Sequence, residues 1–176
     1  MKTNIALIGF MGTGKTAVGQ LLAEKLDRKF LELDWIIERQ AGKPIPEIFK
    51  DSGEITFREY EIAAAKSVSG ESRCVIACGG GMVLNKINID RLKIEGVVVC
   101  LTASPAAILK RTSKEEGARP LLAVDDPAKR IKELINYRKP YYDRAADITV
   151  NTTGLNQEGV AGEITRKLEE DESFDL

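Results

Sequence analysis

A chain of 176 residues with 43% hydrophobic and 30% charged residues can bury one full core and has the make-up of a soluble globular protein, so one domain over residues 1–176 is expected. A formal net charge of −1 argues against nucleic acid or membrane held by bulk charge. The lack of any histidine excludes imidazole bases and histidine-containing metal sites, leaving carboxylates, lysines or the substrate itself to move protons.

The first element is an apolar strand, Asn4 to Ile8, that runs into Gly9-Phe10-Met11-Gly12-Thr13-Gly14-Lys15-Thr16. This is the G-x-x-x-x-G-K-T spacing of a P-loop, whose glycines let backbone N–H groups close around a phosphate chain. Lys15 can reach the outer phosphates and the Thr16 hydroxyl can hold Mg2+. The helix that follows, with Val18, Leu21, Leu22 and Leu26 on its apolar face, adds the positive end of its dipole. Gly12, Thr13, Gly14, Lys15, Thr16 and Ala17 are therefore the expected nucleotide contacts. The apolar residues 5–11 are too short to span a bilayer and lead into Lys15 rather than a cleavage site, so no secretion signal is expected.

Lys29 to Leu33 reads as a second strand, closed by Glu32-Leu33-Asp34. Carboxylates at i and i+2 of a strand share a side, which would put Glu32 and Asp34 near the phosphates as a metal or base pair. An acidic start to the helix Trp35-Ile36-Ile37-Glu38 explains Asp34 on local grounds too. Gly42 to Pro46 is a connection and Glu47 to Lys50 a short helical turn. Ile55 to Val68 is an alanine-rich helix, on which Arg58 is either functional or a plain surface cation paired with Glu61 or Glu54.

Arg73 to Cys78 is an apolar run with the length of a buried parallel strand, and it stops at Gly79-Gly80-Gly81, where backbone can approach a ligand. No aspartate closes this strand in the Walker B manner, which throws weight onto Glu32 and Asp34. Cys74, Cys78 and Cys100, odd in number and set in apolar runs, point to reduced core thiols in a cytoplasmic protein. Val97 to Leu101 is a fourth strand; Ser104-Pro105 starts a helix through Arg111, whose charge complements the dipole or lies against a bound base.

Residues 112–126 have no strand or helix period and contain Gly117 and Arg119-Pro120-Leu121-Leu122. A stretch of this kind inside a compact domain is expected to be a lid, with Arg119 brought over the phosphates. Asp126-Pro127 opens a helix whose stripe Ile131, Leu134, Ile135 continues onto Arg138. An arginine on an inner face is costly unless it meets an anion or snorkels out at the helix end. Ile148 to Val150 is a fifth strand, Gln157 to Glu170 the last helix, and residues 169–176 an acidic tail expected to fray in solvent. Strands and helices alternate throughout, which gives an α/β fold with a parallel sheet.

Taken in order, the P-loop, Glu32-x-Asp34, Gly-Lys-Pro-Ile-Pro-Glu-Ile-Phe, Phe57-Arg58, the triple glycine, Arg119-Pro120-Leu121-Leu122 and Tyr137-Arg138-x-x-Tyr141 resemble the shikimate kinase family, over about residues 4–155. The resemblance implies the nucleoside monophosphate kinase fold: three α/β/α layers, a five-stranded parallel sheet of order 2-3-1-4-5, and a lid. It implies ATP and Mg2+ as cofactors and shikimate as substrate, phosphorylated on its 3-hydroxyl, in a cytoplasmic monomer with no nucleic-acid or membrane partner. Arg58 and Arg138 would clamp the shikimate carboxylate, and Asp34 would bind ring hydroxyls and orient or deprotonate the attacking one. Gly80 and Gly81 would offer backbone N–H groups, Arg119 would meet the ATP phosphates, Arg111 the adenine, and Thr16 with Glu32 the metal. The chain departs from the family at Glu32, where aspartate is usual, at Cys78, where a hydroxyl residue is common, and at Asn151 to Gly154, which lacks an arginine found in some relatives.

Another small-acid kinase, such as one for gluconate, would share the ATP-handling parts and the paired arginines. A GTP-dependent switch would need Asn-Lys-x-Asp, where this chain has only Asn85-Lys86-Ile87-Asn88. A kinase-like binding protein without activity is the third rival reading, with Glu32 as its one hint.

Overall fold

The first strand, β1 (Asn4–Gly9), is buried at every position and pairs in parallel with a strand on each side. The structure, a computed structural model, describes residues 1–113, 120–122 and 124–176. Its strands β1, β2 (Lys29–Glu32), β3 (Cys74–Ala77), β4 (Gly96–Thr102) and β5 (Ile148–Asn151) form one parallel sheet of order β2-β3-β1-β4-β5. Strand alternation assigns β1's side chains to two layers. Ile5 and Leu7 pack with Val18 and Leu22 of α1 (Lys15–Lys25) and Val160 and Ile164 of α7 (Gln157–Glu169). Ala6 and Ile8 face the opposite layer of α2 (Leu33–Ala41), α3 (Ile45–Val68), α4 (Lys86–Glu95) and α6 (Pro127–Ala145). A smaller cluster of Phe10, Ile108, Ile131 and Leu134 joins α6 and α5 (Pro105–Thr112) to the start of the P-loop.

Helix boundaries follow the local chemistry. Ser104, Asp126 and Asn156 accept hydrogen bonds from backbone N–H groups in the first turns of α5, α6 and α7, with proline early in α5 and α6. Among the described residues no helix is long and apolar enough to cross a membrane.

Three expectations change, and one helix carries no clear signal in the sequence. Strand β2 ends at Glu32, and Asp34 lies in the first turn of α2 without capping it. The turn at Glu47 to Lys50 belongs to α3, which starts at Ile45 and is interrupted at Gly53, where φ 78° and ψ 177° lie outside the helical region. Helix α4 was not foreseen, because only Asn88, Ile89 and Leu92 are buried on it while Ile87 and Ile94 are exposed, which blurs the stripe. The C-terminal tail does not fray at its end: Phe174 is buried and bridges Lys2, and the buried Arg28 stacks on its ring while donating to the carbonyls of Thr3 and Asp175. Phe174 supplies the one apolar anchor in this acidic run, and backbone bonds between Lys2 and both Ser173 and Asp175 hold it beside the N-terminal segment.

Candidate active site

The loop that leaves β1 turns over the C-terminal edge of the sheet into α1. Gly9 lies so close to β4 that a Cβ there would run into the Leu101 carbonyl, and Gly12 and Gly14 take φ of 75° and 95°. Thr13 Oγ1 donates to the Phe10 carbonyl at 2.7 Å, and Lys15 Nζ donates to the same oxygen at 3.0 Å. Lys15 is thus folded over its own loop, beside a cavity of 330 Å3 lined by Gly12, Gly14, Lys15, Thr16 and Ala17 together with Glu32, Asp34, Gly79, Gly80 and Arg111.

Glu32 and Asp34 share this cavity although one ends a strand and the other begins a helix. Thr16 Oγ1 donates to Glu32 Oε2 at 2.7 Å. A hydroxyl and two carboxylates form a hard-oxygen donor set, which fits Mg2+, an ion held through few protein oxygens and completed by phosphate and water. Among the described residues no group of three or more acidic, histidine or cysteine side chains forms a stronger cage.

Burial pushes the Glu32 carboxyl up from an ordinary 4.5 to about 7; the Thr16 hydrogen bond lowers it, and the nearby Asp34 charge raises it further. The folded chain therefore holds this proton more tightly than the unfolded one. Stability from Glu32 is fully present below pH 4.5 and lost as pH rises through about 7, an effect of about 3 kcal/mol at most. Thermal melts of the nucleotide-free protein will fall in midpoint between about pH 5 and pH 8, and Glu32→Gln will make that slope shallower. An identical slope in the variant would show that the Glu32 proton is not linked to folding.

A second cleft, of 360 Å3, adjoins the first. Met11, Trp35, Ile45, Phe49 and Phe57 give it apolar walls, while Asp34, Arg58, Glu61 and Arg138 bring charge. The triple glycine lies between the arginines: a Cβ on Gly81 would fall on the Arg58 guanidinium, and one on Gly79 would lie 3.0 Å from Asp34 Oδ1 and 3.2 Å from Glu61 Oε1. Only glycine lets strand-end backbone come this close to the charged groups. Tyr142 donates its hydroxyl to the Gly80 carbonyl at 2.6 Å and so ties α6 to the glycines. Burial holds the Tyr142 pKa above its usual range, so it remains a donor.

Arg58 is no plain surface cation. Its Nη1 donates to Glu61 Oε2 at 2.7 Å and its Nη2 to Glu54 Oε1 at 2.6 Å. Burial alone would lower its pKa, but the two carboxylates outweigh that and raise it. Glu61 is buried, and desolvation raises its carboxyl pKa against the pull of Arg58. Arg138 does not snorkel: it is 2% exposed, with its guanidinium 5.7 Å from the centre of the Phe10 ring.

A third cleft, of 520 Å3, lies on the other side of the P-loop between Thr13, Ala17, Arg111, Thr152, Leu155 and Asn156. Arg111 donates to the Gly12 carbonyl, to Thr152 Oγ1 and to the Thr152 carbonyl, each at 3.0 Å. Its guanidinium therefore joins the P-loop to the segment after β5 and lines both this cleft and the phosphate cavity.

The structure thus brings together Lys15, Thr16, Glu32, Asp34, Arg58, Gly80, Gly81, Arg111 and Arg138 around connected clefts. Arg119 lies outside the described residues, as do residues 114–118 and 123 of the expected lid; Thr112 belongs to α5, and Pro120–Leu122 form a 3-10 turn. Glu61, Tyr142 and Thr152 were missed. Glu61 was readable only as Arg58's partner at i+3, and nothing in the sequence marks its burial. The cysteines are free and buried, and burial raises the pKa of each thiol, which keeps them protonated and inert.

A family profile for shikimate kinase matches residues 11–169. The shikimate kinase of Thermodesulfovibrio yellowstonii is 48% identical over 166 residues, covering 94% of this chain and 95% of that one. The shikimate kinase of Caldanaerobacter subterraneus subsp. tengcongensis is 47% identical over 163 residues, covering 93% and 94%. Among solved structures, shikimate kinase from Acinetobacter baumannii in complex with shikimate superposes with a TM-score of 0.93 at 36% identity, over 98% of this chain and 96% of the other.

Proposed function

The chain belongs to the shikimate kinase family of ATP-dependent phosphotransferases, and from that premise we propose how its own residues move the γ-phosphoryl group of ATP to the 3-hydroxyl of shikimate, giving shikimate 3-phosphate and ADP. The observation that carries the reading is the junction of two clefts. The phosphate cavity and the arginine-lined cleft share Met11, Asp34, Gly79 and Gly80. A phosphate chain in one and a small carboxylic acid in the other meet there.

The adenine lies in the third cleft beside Arg111, and the phosphates run along the P-loop under its backbone N–H groups. Lys15 leaves the Phe10 carbonyl for the outer phosphates. Mg2+, when bound, neutralises charge on the phosphate oxygens; Thr16 and Glu32 hold it. Arg58 and Arg138 take the substrate carboxylate, since a guanidinium matches a carboxylate at two points. Gly80 and Gly81 turn backbone N–H groups toward the substrate. Asp34 accepts the proton of the attacking hydroxyl or orients it in line with the transferred group. Arg119, arriving from the 112–126 segment, adds positive charge over the phosphates and helps exclude water. The protein acts as a cytoplasmic monomer on a small molecule, within one domain spanning residues 1–176.

A coupled assay of ADP release with shikimate and gluconate side by side tests the assignment. ADP will appear with shikimate and Mg2+, and hardly at all with either omitted or with gluconate in its place. Equal turnover on gluconate, or none on shikimate, would overturn the substrate.

A further inference from the structure

We propose that Glu54 is an internal competitor for the substrate carboxylate, holding Arg58 in the empty site until the substrate displaces it. The inference rests on the reading of Arg58 as a carboxylate clamp. A guanidinium has two edges that offer paired N–H groups to a carboxylate, Nη1 with Nη2 and Nε with Nη2, and both use Nη2. In the substrate-free protein Nη2 donates to Glu54 Oε1 at 2.6 Å. With Nη1 already donating to Glu61, two-point recognition of a ligand carboxylate on Arg58 draws on Nη2, one of whose two N–H groups Glu54 holds.

The second carboxylate on Arg58 cannot be the one that yields. Glu61 has its side chain 1% exposed and holds Nη1 at 2.7 Å, on the side where Gly81 packs against the guanidinium. Displacing it would leave a carboxylate enclosed by the core without its cation. The Glu54 side chain is 50% exposed and can swing into water at little cost. The chain geometry supports the same division of labour. Glu54 directly follows Gly53, whose φ of 78° interrupts α3, so it begins the segment that carries Arg58 and Glu61 and sits one turn before Arg58 and two before Glu61. Glu61 aligns the clamp and Glu54 occupies it. With Glu54 in place the guanidinium is kept ordered and neutralised, and weakly held anions are refused because they must first break an ion pair.

Isothermal titration calorimetry of shikimate into nucleotide-free protein tests this with two variants. Glu54→Gln removes the competing charge. Glu54→Asp keeps the charge but draws it back by about one methylene, which lengthens and weakens its contact with Nη2. Both will tighten shikimate binding by about two- to fivefold, the range expected for loss of a half-exposed ion pair. Tightening by Glu54→Gln alone would show that Glu54 acts only through its field, unchanged binding in both that it does not compete, and weaker binding in both that it helps the clamp; each of these results overturns the competitor. A wild-type protein that binds and phosphorylates shikimate while the variants fail leaves the functional reading intact. If the wild type does neither, the reading of the site falls and the competitor with it.

Discussion

Asp34→Asn will lower kcat for shikimate by about two to four orders of magnitude, while the folded protein still binds ATP. Asp34 is the only carboxylate among the described residues that lines both the phosphate cavity and the arginine cleft, Glu32 lining only the first and Glu38 and Glu61 only the second. With no histidine in the chain, no imidazole can substitute for it. Glu32 accepts the Thr16 hydroxyl's hydrogen bond and lies outside the arginine cleft, and Glu61 is committed to Arg58. The substitution keeps the shape of the side chain and removes its capacity to accept a proton, so the loss falls on turnover rather than on folding. Phosphoryl transfer passes through a loose transition state that needs modest base assistance, which favours the lower end of the range. Steady-state kinetics on shikimate, with circular dichroism to confirm the fold, make the measurement. Full turnover in Asp34→Asn would remove Asp34 from the chemistry and leave it a hydroxyl contact at most.

What could be read from the sequence was local. The P-loop is written into consecutive residues, because each glycine answers a backbone demand within the loop, and strand order followed once the family resemblance supplied it. Glu32 and Asp34 share one cavity, as their spacing suggests, but not by alternating along one strand, since β2 ends at Glu32 and Asp34 belongs to α2. Arg138 was legible because a charge on an apolar stripe is a conflict that demands an anion. Glu61 was not, since a carboxylate at i+3 from an arginine on a helix is usually a solvated pair, and only tertiary packing makes it a buried strut. Tyr142 reaches the Gly80 carbonyl across 62 positions of chain, and Phe174 meets Lys2 near the opposite terminus. Contacts of that range carry no pattern in sequence.

Arg138→Ala will cut kcat/KM for shikimate by about two to three orders of magnitude, the range for losing a desolvated, charge-assisted pair, and will do so with little change in thermal stability. The buried face of α6 runs Ile131, Leu134, Arg138, Tyr142 and Ala145, so the guanidinium is delivered into the cleft by the helix's own apolar stripe. Among the described residues its Nε has no hydrogen-bond partner. Glu61 lowers the cost of the charge through its field while spending its hydrogen bond on Arg58. A buried cation in that state adds little to the stability of the empty protein, because desolvation offsets its attraction to the carboxylate. Its return comes when an anion arrives. Arg138→Lys keeps the charge but not the planar fork and will recover only part of the loss. Kinetics with varied shikimate, set beside thermal melts, separate the two roles. Normal shikimate kinetics in both variants, or a collapse in melting temperature that accounts for the lost activity, would make Arg138 a structural cation and leave Arg58 alone to hold the carboxylate.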